Sequence, residues 1–214
     1  WIYDNIKKYL TYLLRCNITE VLVIGGVVLV MGPKYLPLLP AAILYINLAT
    51  DGLPAFALGV SPPDPDLMKR PPRDPKEPVF SKDVMTFIIL AVTIETPLFL
   101  FAFFGSQPDM ETARTRLFFM FILVEIAIAL NFRSMRFSVF KVPPHKWLVL
   151  ALVWEVLLIA ALVQVASVRE AFGISVPSIT DIAGILVVCL VVFFSMEAAK
   201  AVLSRKFYKM IKDA

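Results

Sequence analysis

Six blocks of about 20 predominantly apolar residues dominate this sequence, at 10–31, 36–60, 84–104, 116–133, 147–168 and 179–203. An α-helix of that length crosses the hydrocarbon of a bilayer, where every backbone N–H and C=O must be bonded inside the segment. Signal peptides and buried helices of soluble proteins use shorter runs and do not repeat six times. The pattern predicts an all-α chain, a polytopic membrane helix bundle of six transmembrane helices forming one domain over 1–214. Composition agrees: 59% of residues are hydrophobic and 18% charged, where a soluble domain has about half and a quarter.

The charges predict the topology. An even number of spans puts both termini on one side, together with the 61–83 and 134–146 connections. All but Lys34, Arg114, Arg116 and Arg169 of the 21 Lys and Arg residues fall on that side, Arg15 being counted with them at the edge of its block. Positive residues favour the cytoplasm, so both termini are expected to be cytoplasmic, with the basic stripes facing anionic lipid. Nothing in this distribution calls for a nucleic acid. Cys16 and Cys189 lie inside predicted spans without metal or redox spacing and read as small buried hydrophobes.

Two connections carry information. Gly32-Pro33 breaks the helix in a very short hairpin, which makes the first two spans antiparallel neighbours. The 61–83 loop, SPPDPDLMKRPPRDPKEPVFSKD, interleaves seven prolines with charges of both signs and predicts an extended strap. It reads either as a tether between spans or as a docking surface for a cytoplasmic domain.

The chemistry lies in polar residues inside the spans. A carboxylate there costs about 2.5 to 3.5 kcal/mol to insert, which makes each one a functional candidate. Glu20, Asp51, Glu95, Glu125 and Glu155 all sit well inside blocks, and Glu197 lies nearer an end. Asn17 and Glu20 are three apart on the first span, and Asn47, Thr50 and Asp51 occupy i, i+3 and i+4 on the second. Pro54 has no N–H for the Thr50 carbonyl, so the second helix is expected to be unwound near Asp51–Pro54. Asn17, Glu20, Asn47, Thr50, Asp51 and Glu125 offer oxygen alone, a set that suits hard cations. Calcium, which tolerates irregular oxygen cages, fits best; sodium, potassium and protons stay open. Glu95, followed by Thr96-Pro97, reads as a kink cap or a coupling acid, and Glu155 as a neutral buried acid or a coupling acid.

These residues also carry a family resemblance. IYDNIKKYLTYLLRCNITEVL resembles the fifth membrane helix of P-type cation-transporting ATPases of the sarco/endoplasmic-reticulum calcium-pump type. LYINLATDGLPAFALGVSPPDPDLMKRPPRDPKEPVF is similar to their sixth helix and the loop after it, and VEIAIALNFRS to their eighth helix. The chain therefore looks like the fifth to tenth helices of such a pump. The resemblance implies that Asn17, Glu20, Asn47, Thr50, Asp51 and Glu125 ligate Ca2+ as the transported ion, with Asp51 bridging two ions. It also implies that the strap touches the phosphorylation domain. Asn47 and Thr50 look like the two-calcium type, whereas Glu155 falls near a ninth-helix acid that sodium/potassium pumps use.

No DKTGT phosphorylation motif and no TGE motif stand in the sequence, and the family's fourth-helix glutamate has no counterpart. By the resemblance, Mg2+ and ATP belong to cytoplasmic actuator, phosphorylation and nucleotide-binding domains upstream. This chain by itself is expected to be non-catalytic, with an incomplete ion site. The rival expectations are a proton or sodium/potassium-type pump of the same family and a non-catalytic six-helix membrane module.

Overall fold

A computed structural model describes residues 1–70, 78–106 and 108–212, with the side chains of 83 and 204–212 outside that description. The described residues form helices and turns without strands. They are α1 (Ile2–Met31), α2 (Pro40–Tyr45), α3 (Gly52–Gly59), α4 (Lys82–Phe104), α5 (Met110–Asn131), α6 (Lys146–Leu162), α7 (Ala166–Phe172) and α8 (Ile179–Lys212). A π-helical turn, Ile46–Thr50, joins α2 to α3.

Prolines and glycines set the boundaries. Gly32 ends α1 at φ 88, a conformation open to a residue without Cβ, and its N–H closes on the Val28 carbonyl at 2.8 Å. Pro33 opens a single 3-10 turn, and Pro40 starts α2 at a position where no N–H is needed. The break expected near Asp51–Pro54 lies just upstream of Pro54 and takes the form of a widened turn. Asp51 N–H bonds back five residues to the Ile46 carbonyl at 3.0 Å, which also accepts from Thr50 Oγ1 at 2.6 Å. Pro54 then falls in the first turn of α3, where the ring is tolerated.

Among the described residues, four segments are long and apolar enough to cross a membrane: α1, the α2–α3 unit from Pro40 to Gly59, α4 from Val84, and α8 to Leu203. α6 and α7 would make a fifth only as one broken span, because they meet at a 102° bend. The predicted fifth span, 147–168, is therefore shorter than expected. α6 stops at Leu162, and Arg169 turns back to donate to the Val163 carbonyl at 2.7 Å. α5 carries Arg114, Arg116 and Glu125 within its 22 residues, yet it is buried on nearly every side from Leu117 to Ala129. A helix apolar all round belongs at the centre of a bundle. α5 packs most closely against α8, α1 against α4, and α6 against α3. Leu29 is 88% exposed and Phe56 79%, and comparable side chains such as Phe101 and Ile179 line the outside. An apolar exterior around a polar-containing core is the pattern of an integral, multi-pass membrane protein.

One end of the bundle is tied by polar contacts. Trp1 Nε1 and Asn5 Nδ2 donate to the Ser61 carbonyl at 2.7 and 2.8 Å. Asp64, 7% exposed, accepts from Ser134 Oγ at 2.9 Å and pairs with Lys8 at 3.5 Å and Arg133 at 3.6 Å. Arg70 bonds Asp4 at 2.9 Å and also pairs with Asp66. Lys200 donates to the Asn131 carbonyl at 2.8 Å, beyond which α5 has ended. Lys8, Arg133 and Lys200 are thus buried in ion pairs or helix caps, which corrects the expectation that the basic residues of this side face lipid.

Candidate functional site

Glu20, Asp51, Glu95 and Glu125 lie where α1, the π turn, α4 and α5 meet. The π turn leaves Asp51 at the junction with α3, fully inside the bundle at 2% exposure. One carboxylate oxygen of Asp51, one of Glu125 and the Cys16 thiol lie within 4.8 Å of one another. Asp51 Oδ1 has no hydrogen-bond partner among the described residues. A buried acceptor left open in this way is unusual, because desolvation without a compensating bond costs about 1–3 kcal/mol. Tyr12 donates its hydroxyl to Glu125 Oε2 at 3.1 Å and lies 3.5 Å from the Thr50 carbonyl, the one that Pro54 cannot serve.

Glu20 and Asn47 form a second pair beside the first. Asn47 Nδ2 lies 2.9 and 3.1 Å from the two oxygens of Glu20 and also donates to the Ile43 carbonyl at 3.0 Å. This pair bridges α1 and the π turn, as the tight hairpin predicts. Thr50 is buried, with its hydroxyl spent on the Ile46 carbonyl.

The structure separates Asn17 from the others. Asn17 lies on the exposed face of α1, and its amide returns to the Leu13 carbonyl at 2.7 Å. Glu95 does not cap the kink at Pro97. It accepts from Arg15 Nη1 at 2.7 Å and from Thr19 Oγ1 at 3.0 Å. Glu155 is buried on α6 with neither oxygen partnered. Glu197 stands apart, holding Asn131 Nδ2 at 2.7 Å and Lys200 at 2.5 Å near the tied end.

Sequence reasoning missed two members of this cluster. Arg15 is buried at 1% exposure, pairing with Glu95 and lying 3.7 Å from Glu125 through Nη2. Its guanidinium lies over the Tyr12 ring, 5.4 Å from the centroid. Counting it among the lipid-facing charges is therefore wrong. The signal was there: an arginine inside an apolar block belongs with the acids as a functional candidate. Cys16 is not a bystander in the core either. Its thiol donates to the Tyr12 carbonyl at 3.2 Å and receives Arg15 Nη2 at 3.0 Å.

The donor set is dominated by oxygen: three carboxylates, the Asn47 amide and the Thr50 carbonyl, which only the distant Tyr12 hydroxyl meets, with a single soft sulfur already bonded. Such a set holds a hard cation in preference to zinc or copper, which take nitrogen and sulfur.

Comparison with known proteins bears on the chain as a whole. The family described as "Cation transporting ATPase, C-terminus" matches residues 35–202. The chain is 35% identical over 179 residues to the "Calcium-transporting ATPase" of Bacillus subtilis (strain 168), covering 80% of this chain and 20% of that protein. It is 31% identical over 219 residues to "Calcium-transporting ATPase 1" of Bacillus cereus (strain ATCC 10987 / NRS 248), covering 93% of this chain and 24% of that protein. The chain thus spans about a fifth to a quarter of the length of these curated relatives. With most of its length matched, this chain belongs to the C-terminal membrane region of the cation-transporting P-type ATPases.

Proposed function

We propose that this chain is the ion-binding and ion-translocating membrane part of an ATP-driven calcium pump. The observation that carries the reading is the meeting of Asp51 and Glu125 beside the π turn, with one Asp51 oxygen free to coordinate. Glu20 and Asn47 flank that point, and all four come from three different helices, so a rotation of any one changes the cage. Asn17 adds its amide from the outer face of α1. That face is the one offered to the membrane helix which, in the family, carries the remaining glutamate.

The chain crosses the bilayer six times in this reading, with α5 as the fourth crossing and α6 as the fifth. Both termini face the cytoplasm. The convergence of the start of α1, the 61–70 segment, the 134–145 connection and Lys200 at one end supports that arrangement. Cytoplasmic domains of the same pump dock on the 61–83 loop, of which residues 71–77 lie outside the described residues. Mg2+ and ATP act in those domains and not here. Their movement is passed to α1 through the Lys8–Asp64 and Arg70–Asp4 pairs, which join the loop to the helix that bears Glu20. Turning α1 against the π turn separates Glu20 from Asn47, and shifting the π turn against α5 separates Asp51 from Glu125. Affinity then falls and the ion leaves on the far side, while protons replace it in part on Glu20 and Glu125.

A second reading, proton or monovalent-cation coupling, draws on one observation: Glu155 is buried and both of its oxygens are unpartnered. Transport by the full-length pump in proteoliposomes separates the two. ATP-driven accumulation of 45Ca2+, indifferent to sodium, is expected. Accumulation of sodium or protons without calcium would overturn the calcium reading and move the site toward Glu155.

A further inference from the structure

The buried arginine of the ion cluster has no part in the account above, and it changes how many ions the cluster can hold. Arg15 is not beside the acids but among them. Nη1 bonds Glu95 at 2.7 Å, Nη2 lies 3.7 Å from Glu125, and the same nitrogen is 3.0 Å from the Cys16 thiol. Cys16 and Glu125 are two of the three groups that gather within 4.8 Å around Asp51. An arginine keeps its charge in any protein environment, because its protonated form is favoured far above neutral pH. The cluster therefore contains a fixed positive charge whether or not an ion is bound.

Charge and space both follow. Glu20, Asp51, Glu95 and Glu125 bring four negative charges when all are ionised, and Arg15 cancels one of them. One divalent ion then leaves a net charge of about −1 and two leave about +1, and in a low-dielectric bundle that excess positive charge would fall beside a guanidinium that cannot leave. An ion on Glu125 would sit at about 2.3–2.6 Å from its oxygen, and so no more than about 6 Å from Nη2. The guanidinium also covers the Glu95 side of Glu125, with Thr19 Oγ1 closing Glu95 from below at 3.0 Å. What stays open beside Glu125 is Asp51 Oδ1.

Building on the calcium-pump reading, we propose that Arg15 is a resident counter-cation of the ion site. It fills the position between Glu95 and Glu125 and limits the chain to a single bound calcium ion, held by Asp51 and Glu125 with Glu20 and Asn47 beside them. The two-calcium pattern that Asn47 and Thr50 suggest in the sequence is then cut to one by a residue on the neighbouring helix. A purely structural pair between Arg15 and Glu95 would hold α1 to α4 and leave the stoichiometry untouched, which gives the proposal a distinct readout.

The test is equilibrium 45Ca2+ binding to the full-length pump in lipid–detergent micelles, normalised to folded protein by size-exclusion chromatography. The proteins compared are wild type, Arg15→Gln and Arg15→Lys. Saturation at about one ion per chain is expected for wild type and Arg15→Lys, and at about two for Arg15→Gln, whose freed carboxylates can take a second ion. Two ions on the wild type, or one on folded Arg15→Gln, would overturn the proposal while leaving the calcium reading intact. If Arg15→Gln does not fold, wild type and Arg15→Lys decide: one ion on both supports the proposal, and two on either overturns it. No calcium on the wild type would overturn the calcium reading itself, and this inference with it.

Discussion

A carboxylate inside a membrane protein persists only where something answers its charge, and each acid of this bundle is answered differently. Glu20 has the Asn47 amide, Glu95 has Arg15 and Thr19, and Glu125 has Tyr12 and the edge of Arg15. Asp51, Glu95 and Glu155 each keep at least one unpartnered oxygen. Glu20→Gln keeps the shape of its side chain and removes one negative charge from the cage. The expected result is a calcium affinity lower by about tenfold or more, corresponding to about 1.4 kcal/mol, read as a right shift in calcium-activated ATP hydrolysis by the full-length pump. The acids were legible in the sequence because intramembrane carboxylates stand out against apolar neighbours. The role of Asn17 was not. Residues three apart on a helix differ by about 60° in direction, so the rotation of α1 decides which of Asn17 and Glu20 turns inward. Arg15 escaped for a related reason. The helix begins at Ile2, well before the apolar block, and a charge near the edge of the block reads as interfacial while it lies deep in the helix.

At the scale of elements, the informative features are the places where regular helix stops. Pro54 made a break near Asp51 legible, because a missing N–H must be absorbed within a turn of the proline. The sequence did not disclose that the chain would absorb it by widening into a π turn, since that depends on the Ile46 carbonyl accepting from both Asp51 and Thr50. The bend between α6 and α7 was hidden for a different reason. Residues 163–168 hold no glycine, proline or charge to mark a break, and the turn is fixed by partners outside them: Arg169 on the Val163 carbonyl and Phe172 packed on Tyr45 and Phe118. Gly173 closes α7 in the left-handed region at φ 65, with Leu39 Cδ1 2.7 Å from where a Cβ would lie. Gly173→Ala therefore meets both backbone strain and a clash. It should destabilise the protein by about 1–3 kcal/mol, seen as a lower midpoint of thermal denaturation in detergent. An unchanged midpoint would mean that the α7 turn is not held in this form.

For the whole molecule, the question is how movement outside the membrane reaches the ion. The tied end of the bundle joins the start of α1, the segment after α3 and the connection between α5 and α6 through Asp64, Ser61 and His145. His145 accepts the Leu148 N–H on Nδ1 at 3.3 Å, so its proton sits on Nε2, 3.1 Å from the Ala57 carbonyl and 3.0 Å from Ser61 Oγ. Burial, and then the nearby Arg133, hold its pKa below the usual 6.5, the Ala57 contact opposing them. The unfolded chain thus binds this proton more readily than the folded one, and the sign follows: stability is present in full above pH 6.5 and is lost as pH falls through that value toward the folded pKa. The denaturation midpoint of wild type should drop between pH 7.5 and 5 by more than that of His145→Gln. Equal drops would remove His145 from the account.

The central claim is that Asp51 coordinates a calcium ion in a cage closed by helix geometry. The most direct measurement is ATP hydrolysis by the full-length pump in lipid vesicles as a function of calcium, wild type against Asp51→Asn. The substitution keeps the size of the side chain and removes the charge and one acceptor at the centre of the cluster. Activation by micromolar calcium that is abolished in Asp51→Asn, with the protein still folded, is the predicted result. Equal activation of both proteins, or activity indifferent to calcium, would contradict it.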